Sequence, residues 1–248
     1  MKDNFSTGSD NYARYRPTYP DDFFDYLNRI KTGSQNAWDC GTGNGQVAGK
    51  LAAVYDNVFA TDISQSQLDN AVIVDNVHYS LQPAEKTDFP DNFFDLIIVS
   101  QAVHWFDFVK FYAEVNRTAK NNALLVIVGY ARDTIAPELD SIVDKLYYNI
   151  VGKYWDKERK YIEEGYRTIP FPFEEMESPD FKISYDWTLE HFIGYLETWS
   201  AVKHFIKEKG FNPLDLIREE LKDGWGQTEK RVVEFPLLLR IGKIKNVS

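Results

Sequence analysis

The chain of 248 residues holds a single cysteine, Cys40. One thiol cannot close a disulfide within the chain, and no Cys/His cluster has zinc spacing, so no structural bridge and no metal site is expected. No apolar run approaches the roughly 20 residues that a membrane-spanning helix needs. The opening stretch, Met1-Lys2-Asp3-Asn4-Phe5-Ser6, lacks the apolar core of a secretory signal. These absences point to a reducing, cytoplasmic setting with no membrane partner. Positive charge is scarce too: 28 Lys and Arg face 38 Asp and Glu, for a net charge of -10. With no run of basic residues to offset it, such a surface repels phosphate backbones. Nucleic acid is therefore disfavoured as a partner, and a small molecule is expected, with room for a local basic patch that holds an anion.

Aromatic residues are plentiful, with 17 Phe, 15 Tyr and 6 Trp, and 44% of the chain is apolar. That is enough to bury the core of one large α/β domain. Part of the aromatic excess is expected to line a cavity. Asp21 or Asp22 is placed to cap a helix that carries Phe23, Phe24, Tyr26, Leu27 and Ile30. From residue 36 the pattern alternates. Strands are expected at 36–40, 57–61, 77–81, 96–99 and 124–128, with helices at about 45–55, 65–74 and 107–119. Continuous apolar strands alternating with helices imply a parallel sheet covered on both faces. After Tyr130 the rhythm breaks into a helical, tyrosine-rich stretch, expected as an insertion that closes a site from water or forms a dimer face. Alternation returns at 181–187. Helices are expected at about 189–207 and 211–222, and a last strand at 232–241. The chain reads as a single domain over 1–248. Its parts are an N-terminal cap segment over about 1–30, a nucleotide-binding core over about 35–130, a helical cap over about 131–180 and a C-terminal part over 181–248. It is expected as a monomer or homodimer.

The chemistry starts at Asp39-Cys40-Gly41-Thr42-Gly43-Asn44-Gly45-Gln46. Glycines between a strand and a helix let the backbone approach a ligand that the helix amides face. The Asp39-x-Gly41-x-Gly43-x-Gly45 spacing differs from the Gly-x-Gly-x-x-Gly of dinucleotide folds. An acid leading into the turn repels pyrophosphate and suits a ligand with a cationic amine, such as S-adenosylmethionine. Asp62 ends the second strand, where an acid accepts from ribose hydroxyls; a plain helix cap before Ile63-Ser64 is the alternative.

These residues resemble the class I S-adenosylmethionine-dependent methyltransferases. The resemblance implies a Rossmann-like seven-stranded α/β fold, mostly parallel with an antiparallel last strand, plus the helical cap. It implies that Asp39, Gly41, Thr42, Gly43, Gln46 and Asp62 hold the cofactor, with Ile63 on the adenine face. Gln82-Pro83-Ala84-Glu85 resembles the stretch in which an Ala-Glu pair contacts adenine, which adds Ala84 and Glu85. Three shorter segments resemble a subgroup that includes trans-aconitate methyltransferases: Tyr12-Ala13-Arg14-Tyr15-Arg16-Pro17, Gln101-Ala102-Val103-His104-Trp105-Phe106 and Tyr195-Leu196-Glu197-Thr198-Trp199-Ser200. They place Arg16 and Gln101 with the cofactor. Tyr12, Arg14, His104, Trp105, Trp199 and Lys203 fall to an anionic substrate. His104 is the candidate catalytic group, open between base, hydrogen-bond donor to an anion, and packing. The expected reaction is direct in-line methyl transfer to a small, trans-aconitate-like carboxylic acid, releasing S-adenosylhomocysteine. Other metabolites with N, C or hydroxyl nucleophiles, a cofactor-binding protein without catalysis, and an NAD-dependent oxidoreductase are the alternatives.

Overall fold

A computed structural model describes residues 14–245. Helix α1 (Asp21–Ile30) leads into β1 (Asn36–Cys40), α2 (Gln46–Leu51), β2 (Asn57–Asp62), α3 (Gln65–Asp69) and β3 (Val77–Leu81). Then come β4 (Phe94–Ser100), α4 (Phe108–Thr118) and β5 (Ala119–Tyr130). The second half contributes α5 (Pro137–Asp144), α6 (Lys160–Glu163), β6 (Glu174–Met176), β7 (Lys182–Trp187), α7 (Leu189–Glu197), α8 (Ser200–Lys209), α9 (Arg218–Trp225) and β8 (Arg231–Lys243).

The strands run in the order β3-β2-β1-β4-β5-β8-β6, with β7 attached to β8 off that path. β1 to β5 pair in parallel, and β8 lies antiparallel to β5, with Val126 opposite Ile241. The expected mixed sheet is thus present as seven strands in sequence. The extra strand arises because β8 is long: its second half pairs β5, and its first half, Arg231–Pro236, pairs β7. Strand order turns back between β1 and β4, so a crevice opens where their carboxyl ends diverge. The loops leaving β1 and β4 are the glycine turn and the Gln101–Phe106 segment.

Strand alternation buries both faces. Trp38, Ile97, Leu125 and Ile127 pack on one side under α4. Ala37, Val58, Leu96, Ile98 and Val126 pack on the other, against Phe23 and Leu27 of α1 and Val47 and Leu51 of α2. A third cluster joins α5, α7, α8 and α9 through Leu139, Phe192, Val202 and Trp225. Most of the aromatic excess is spent in these clusters, including Trp187, Trp199 and Trp225.

Local details differ from the sequence expectation. Helix α1 has Pro20 at its N-cap with no side-chain cap, and Asp21 and Asp22 occupy the first turn, where they favour the helix dipole. The helix expected over 189–207 is two. Thr198 turns its Oγ1 back onto the carbonyl of Tyr195 at 2.6 Å, and Trp199 adopts extended backbone before α8 begins. The stretch 131–180 contains α5, a π-helical turn at Lys145–Ile150, short 3-10 turns and α6, and it ends in the edge strand β6. Among the described residues no helix is long and apolar enough to cross a membrane.

Candidate active site

The turn after β1 is a backbone device. Gly41 sits at φ +75°, and a Cβ there would lie 2.8 Å from the Cβ of Ala102, so both the dihedral and the closeness of the two loops require glycine. The amides of Gly41 and Thr42 both donate to the carbonyl of Thr61 at 2.9 Å. Asp62 completes the turn. Its Oδ2 accepts from the Gly43 amide at 2.9 Å and its Oδ1 from the Ser64 amide at 2.9 Å. One carboxylate thereby ties the glycine turn to the end of β2 while still bordering the cleft.

Asp39 does something other than face a ligand. It is wholly buried beneath the turn, where its Oδ2 accepts from Thr42 Oγ1 at 2.6 Å and from the Ala48 amide at 3.0 Å. Its Oδ1 has no hydrogen-bond partner among the described residues. Burial pushes the carboxyl up to about 7. Asp39 is therefore a brace between the turn and α2, and it does not line the cleft.

The cleft encloses about 1080 Å³, part of it open to solvent. Of the residues named from sequence, Arg16, Gly41, Thr42, Gly43, Gln46, Asp62, Ile63, Ala84, Gln101 and Trp105 border it. Glu85 does not; its Oε1 accepts from the Asp107 amide at 3.0 Å and fixes the start of α4. Ser100 and Phe106, at the two ends of the 100–106 segment, also border the cleft, and so do Tyr19, Ser64, Gln67 and Tyr130, which were not singled out from sequence. Ser100 and Tyr130 carried a readable signal, since each ends a parallel strand beside the crevice.

A second cavity, spanning about 600 Å³ with its solvent-open part included, shares Arg16, Gln101 and Trp105 with the first. His104 and Lys203 border it. Trp155, Asp156, Arg159 and Ile162 border it from the cap, and Thr198 and Ser200 from the α7–α8 break. Gln101 forms the partition in a left-handed conformation, φ +54°. Its side chain is held from three sides: Oε1 accepts from the Tyr130 amide at 3.1 Å and from the Tyr166 hydroxyl at 3.3 Å, and Nε2 donates to the Tyr130 carbonyl at 3.4 Å.

The remaining candidates are placed elsewhere. Trp199 is buried among Tyr147, Trp155 and Tyr195 and supports the cavity wall from behind. Arg14 is exposed, lies over the Tyr15 ring and borders neither cavity. Tyr12 lies outside the described residues. His104 is nearly buried, and burial, with the charge of Arg159, lowers its pKa to about 3. It is a neutral ring at physiological pH. Among the described residues no group of three or more His, Cys, Asp and Glu is placed to hold a metal ion.

This geometry of a glycine turn, an acid after β2 and a crevice at the strand reversal has relatives. A family model described as "Methyltransferase domain" matches residues 38–127. A Dictyostelium discoideum protein named "Putative methyltransferase" is 34% identical over 97% of this chain and 95% of its own length. The chain belongs to the methyltransferase family. A solved structure titled as a "Putative Type II Methyltransferase", from Anaeromyxobacter dehalogenans, shares 38% identity and a TM-score of 0.87 over 94% of this chain and all of that one. A ubiquinone/menaquinone biosynthesis C-methyltransferase of Vibrio cholerae is 28% identical over 48% of this chain and 50% of its own length. The first two matches run over nearly the whole chain, whereas the Vibrio cholerae match takes in about half of it. The trans-aconitate resemblance finds no support among these relatives.

Proposed function

We propose that this methyltransferase uses S-adenosylmethionine to methylate a carboxylate oxygen of a small organic acid. The observation that carries the reading is the second cavity: it shares Arg16, Gln101 and Trp105 with the cleft at the glycine turn, and its lining holds Arg16, Arg159 and Lys203 beside a single acid, Asp156. The cofactor, whose family use is general, supplies a methyl group on a sulfonium; the new oxygen–carbon bond takes its electrons from the acceptor, and the sulfur keeps those of the bond that breaks. Residues of the cleft fit such a molecule. Asp62 suits ribose hydroxyls, Ile63 and Ala84 offer an apolar seat for a base, and the glycine turn allows close approach.

The acceptor needs little proton chemistry. A carboxylate, with an ordinary pKa near 4, is already ionised at neutral pH. The wall group best placed for a base is His104, and a ring that protonates only near pH 3 is a weak one. What the chain would contribute is placement: Gln101 and Trp105 border both cavities, so they would position an acceptor in the second against a methyl donor held in the first. The cap residues Trp155 and Ile162 exclude water and weaken the solvation of the nucleophile.

Incubation with radiolabelled S-adenosylmethionine and a panel of carboxylic acids tests the reading. Label in an alkali-labile ester is the expected result. Tight binding of S-adenosylhomocysteine with no acid methylated would leave a binding protein or another acceptor. His104→Gln is expected to lower kcat by less than about tenfold and to leave the pH profile of kcat/KM without a step between pH 6 and 8. A titration step there that disappears in the variant would make His104 a base after all.

A further inference from the structure

The three cations of the second cavity are not equivalent. Arg16 commits Nη1 to the Tyr130 hydroxyl at 3.1 Å and Nη2 to the Thr198 carbonyl at 3.2 Å. It serves to stitch the N-terminal segment to the sheet and to the α7–α8 break. Lys203 is a point charge whose pKa is lowered by burial and by Arg16. Arg159 is built differently. Its Nε donates to the Tyr147 hydroxyl at 2.9 Å, and that hydroxyl donates in turn to Glu163 Oε1 at 2.6 Å. Its guanidinium carbon lies 4.7 Å from the Trp155 ring centroid and 5.5 Å from that of Tyr147. No carboxylate pairs with it among the described residues, and its two terminal nitrogens have no protein partner there.

A guanidinium held by one edge and two rings loses little side-chain freedom when it binds, and its open fork matches a planar carboxylate with two parallel hydrogen bonds. Arg159 borders the second cavity and not the donor cleft. A carboxylate clamped there would also have its lone pairs engaged, which makes it a poor nucleophile. The group at Arg159 is thus a handle, and the reacting group of the same molecule belongs at the Gln101–Trp105 junction.

We propose that Arg159 is the specificity-determining residue for the acceptor, and that it clamps a second, non-reacting carboxylate of a small dicarboxylic acid. The proposal rests on the carboxylate-methylation reading above. Tyr147 and Glu163 are positioning residues, since they hold Nε and leave the fork open.

Methyl transfer is measured for a series of straight-chain aliphatic diacids, C4 to C8, and for the matching monoacids. The wild-type protein is expected to favour at least one diacid by about 30-fold in kcat/KM, the scale of a charge-assisted bidentate pair. In Arg159→Gln the KM for that diacid is expected to rise by about 30-fold while its kcat and the S-adenosylhomocysteine affinity stay within about threefold, and the monoacids lose much less than the diacid. Arg159→Lys keeps the charge without the fork and should recover only part of the loss. Tyr147→Phe should raise KM several-fold. Equal treatment of diacids and monoacids by the wild type, or an unchanged preference in Arg159→Gln, overturns the proposal. Calorimetric titration of the S-adenosylhomocysteine-loaded protein with the same diacids separates the two readings. Diacid binding that Arg159→Gln abolishes, without methylation of any acid, would sink the reaction and keep the Arg159 handle; no diacid binding would sink the handle as well.

Discussion

Asp62→Ala is expected to weaken S-adenosylhomocysteine binding by about 30- to 150-fold, a loss of about 2–3 kcal/mol. The size follows from the number of bonds that one carboxylate makes. Its two oxygens each accept a backbone amide at 2.9 Å, from Gly43 and from Ser64. Hydrogen bonds to an ionised group are worth about 1.5–3 kcal/mol each. Their loss in the free protein is softened because the cleft lets water reach the freed amides. The bound state would lose more, because ribose hydroxyls placed at Asp62 would lose their acceptor while the Gly43 amide would lose the carboxylate that fixes the turn. Asp62→Asn keeps one acceptor oxygen and should cost roughly tenfold less. Calorimetry on the two variants, with thermal melts to show that the fold is retained, makes the comparison. Affinity within threefold of wild type in Asp62→Ala would remove this residue from the donor site.

The donor cleft was legible because it is local. A strand, a glycine turn, a helix and a second strand ending in an acid lie within 27 residues, from Asn36 to Asp62, and spacing alone determines where they meet. Orientation was less legible. From sequence, Asp39 points at the ligand. In the fold it lies on the buried side of β1, opposite Ala60 and Ile98, where its oxygen is taken by the Ala48 amide and Thr42. A period of two places a strand side chain on a face, but which face a helix covers is a tertiary fact.

The second cavity was legible only in part, for the same reason. His104, Trp105 and Lys203 follow the end of a parallel strand or sit on a regular helix, and they do border the cavity. Arg159 lies in a run of π and 3-10 turns that has no single period to read. Its significance rests on Tyr147, 12 residues earlier in the chain, and on Trp155. Trp199 misled in the opposite sense. The resemblance gives it to the substrate, but the break before α8 turns it inward among other rings. Aromatic content signals that large apolar surfaces exist, and only packing separates a wall from its support.

The ligand-free protein is expected to lose stability as pH rises from 5 to 8, and Asp133→Asn is expected to remove about 3 kcal/mol from the loss contributed by the buried acids. Asp133 follows β5 and is almost wholly buried; neither carboxyl oxygen has a hydrogen-bond partner beyond its own backbone amide among the described residues. Burial raises its pKa from 3.8 to about 7. A carboxyl whose pKa is raised in the fold binds its proton more tightly there than in the unfolded chain. Its contribution is therefore fully present below the unfolded value and is lost as pH climbs to about 7. Asp39 is raised to about 7 by burial and adds a loss of the same sign over the same window. His104 works against both: lowered to about 3, it stays neutral in the fold, so protonation of the unfolded chain costs stability as pH falls below about 6.5. Each group contributes about 1.4 kcal/mol per pH unit while its folded and unfolded forms differ in protonation. From pH 5 to 7 the two acids subtract about 5 kcal/mol together, and from pH 5 to 6.5 His104 restores about 2. Denaturant unfolding at pH 5 and 8 should show a net fall in wild type, a smaller fall in Asp133→Asn and a steeper one in His104→Gln. A flat wild-type profile with a flat Asp133→Asn profile would mean that the carboxyl of Asp133 finds a partner in solution.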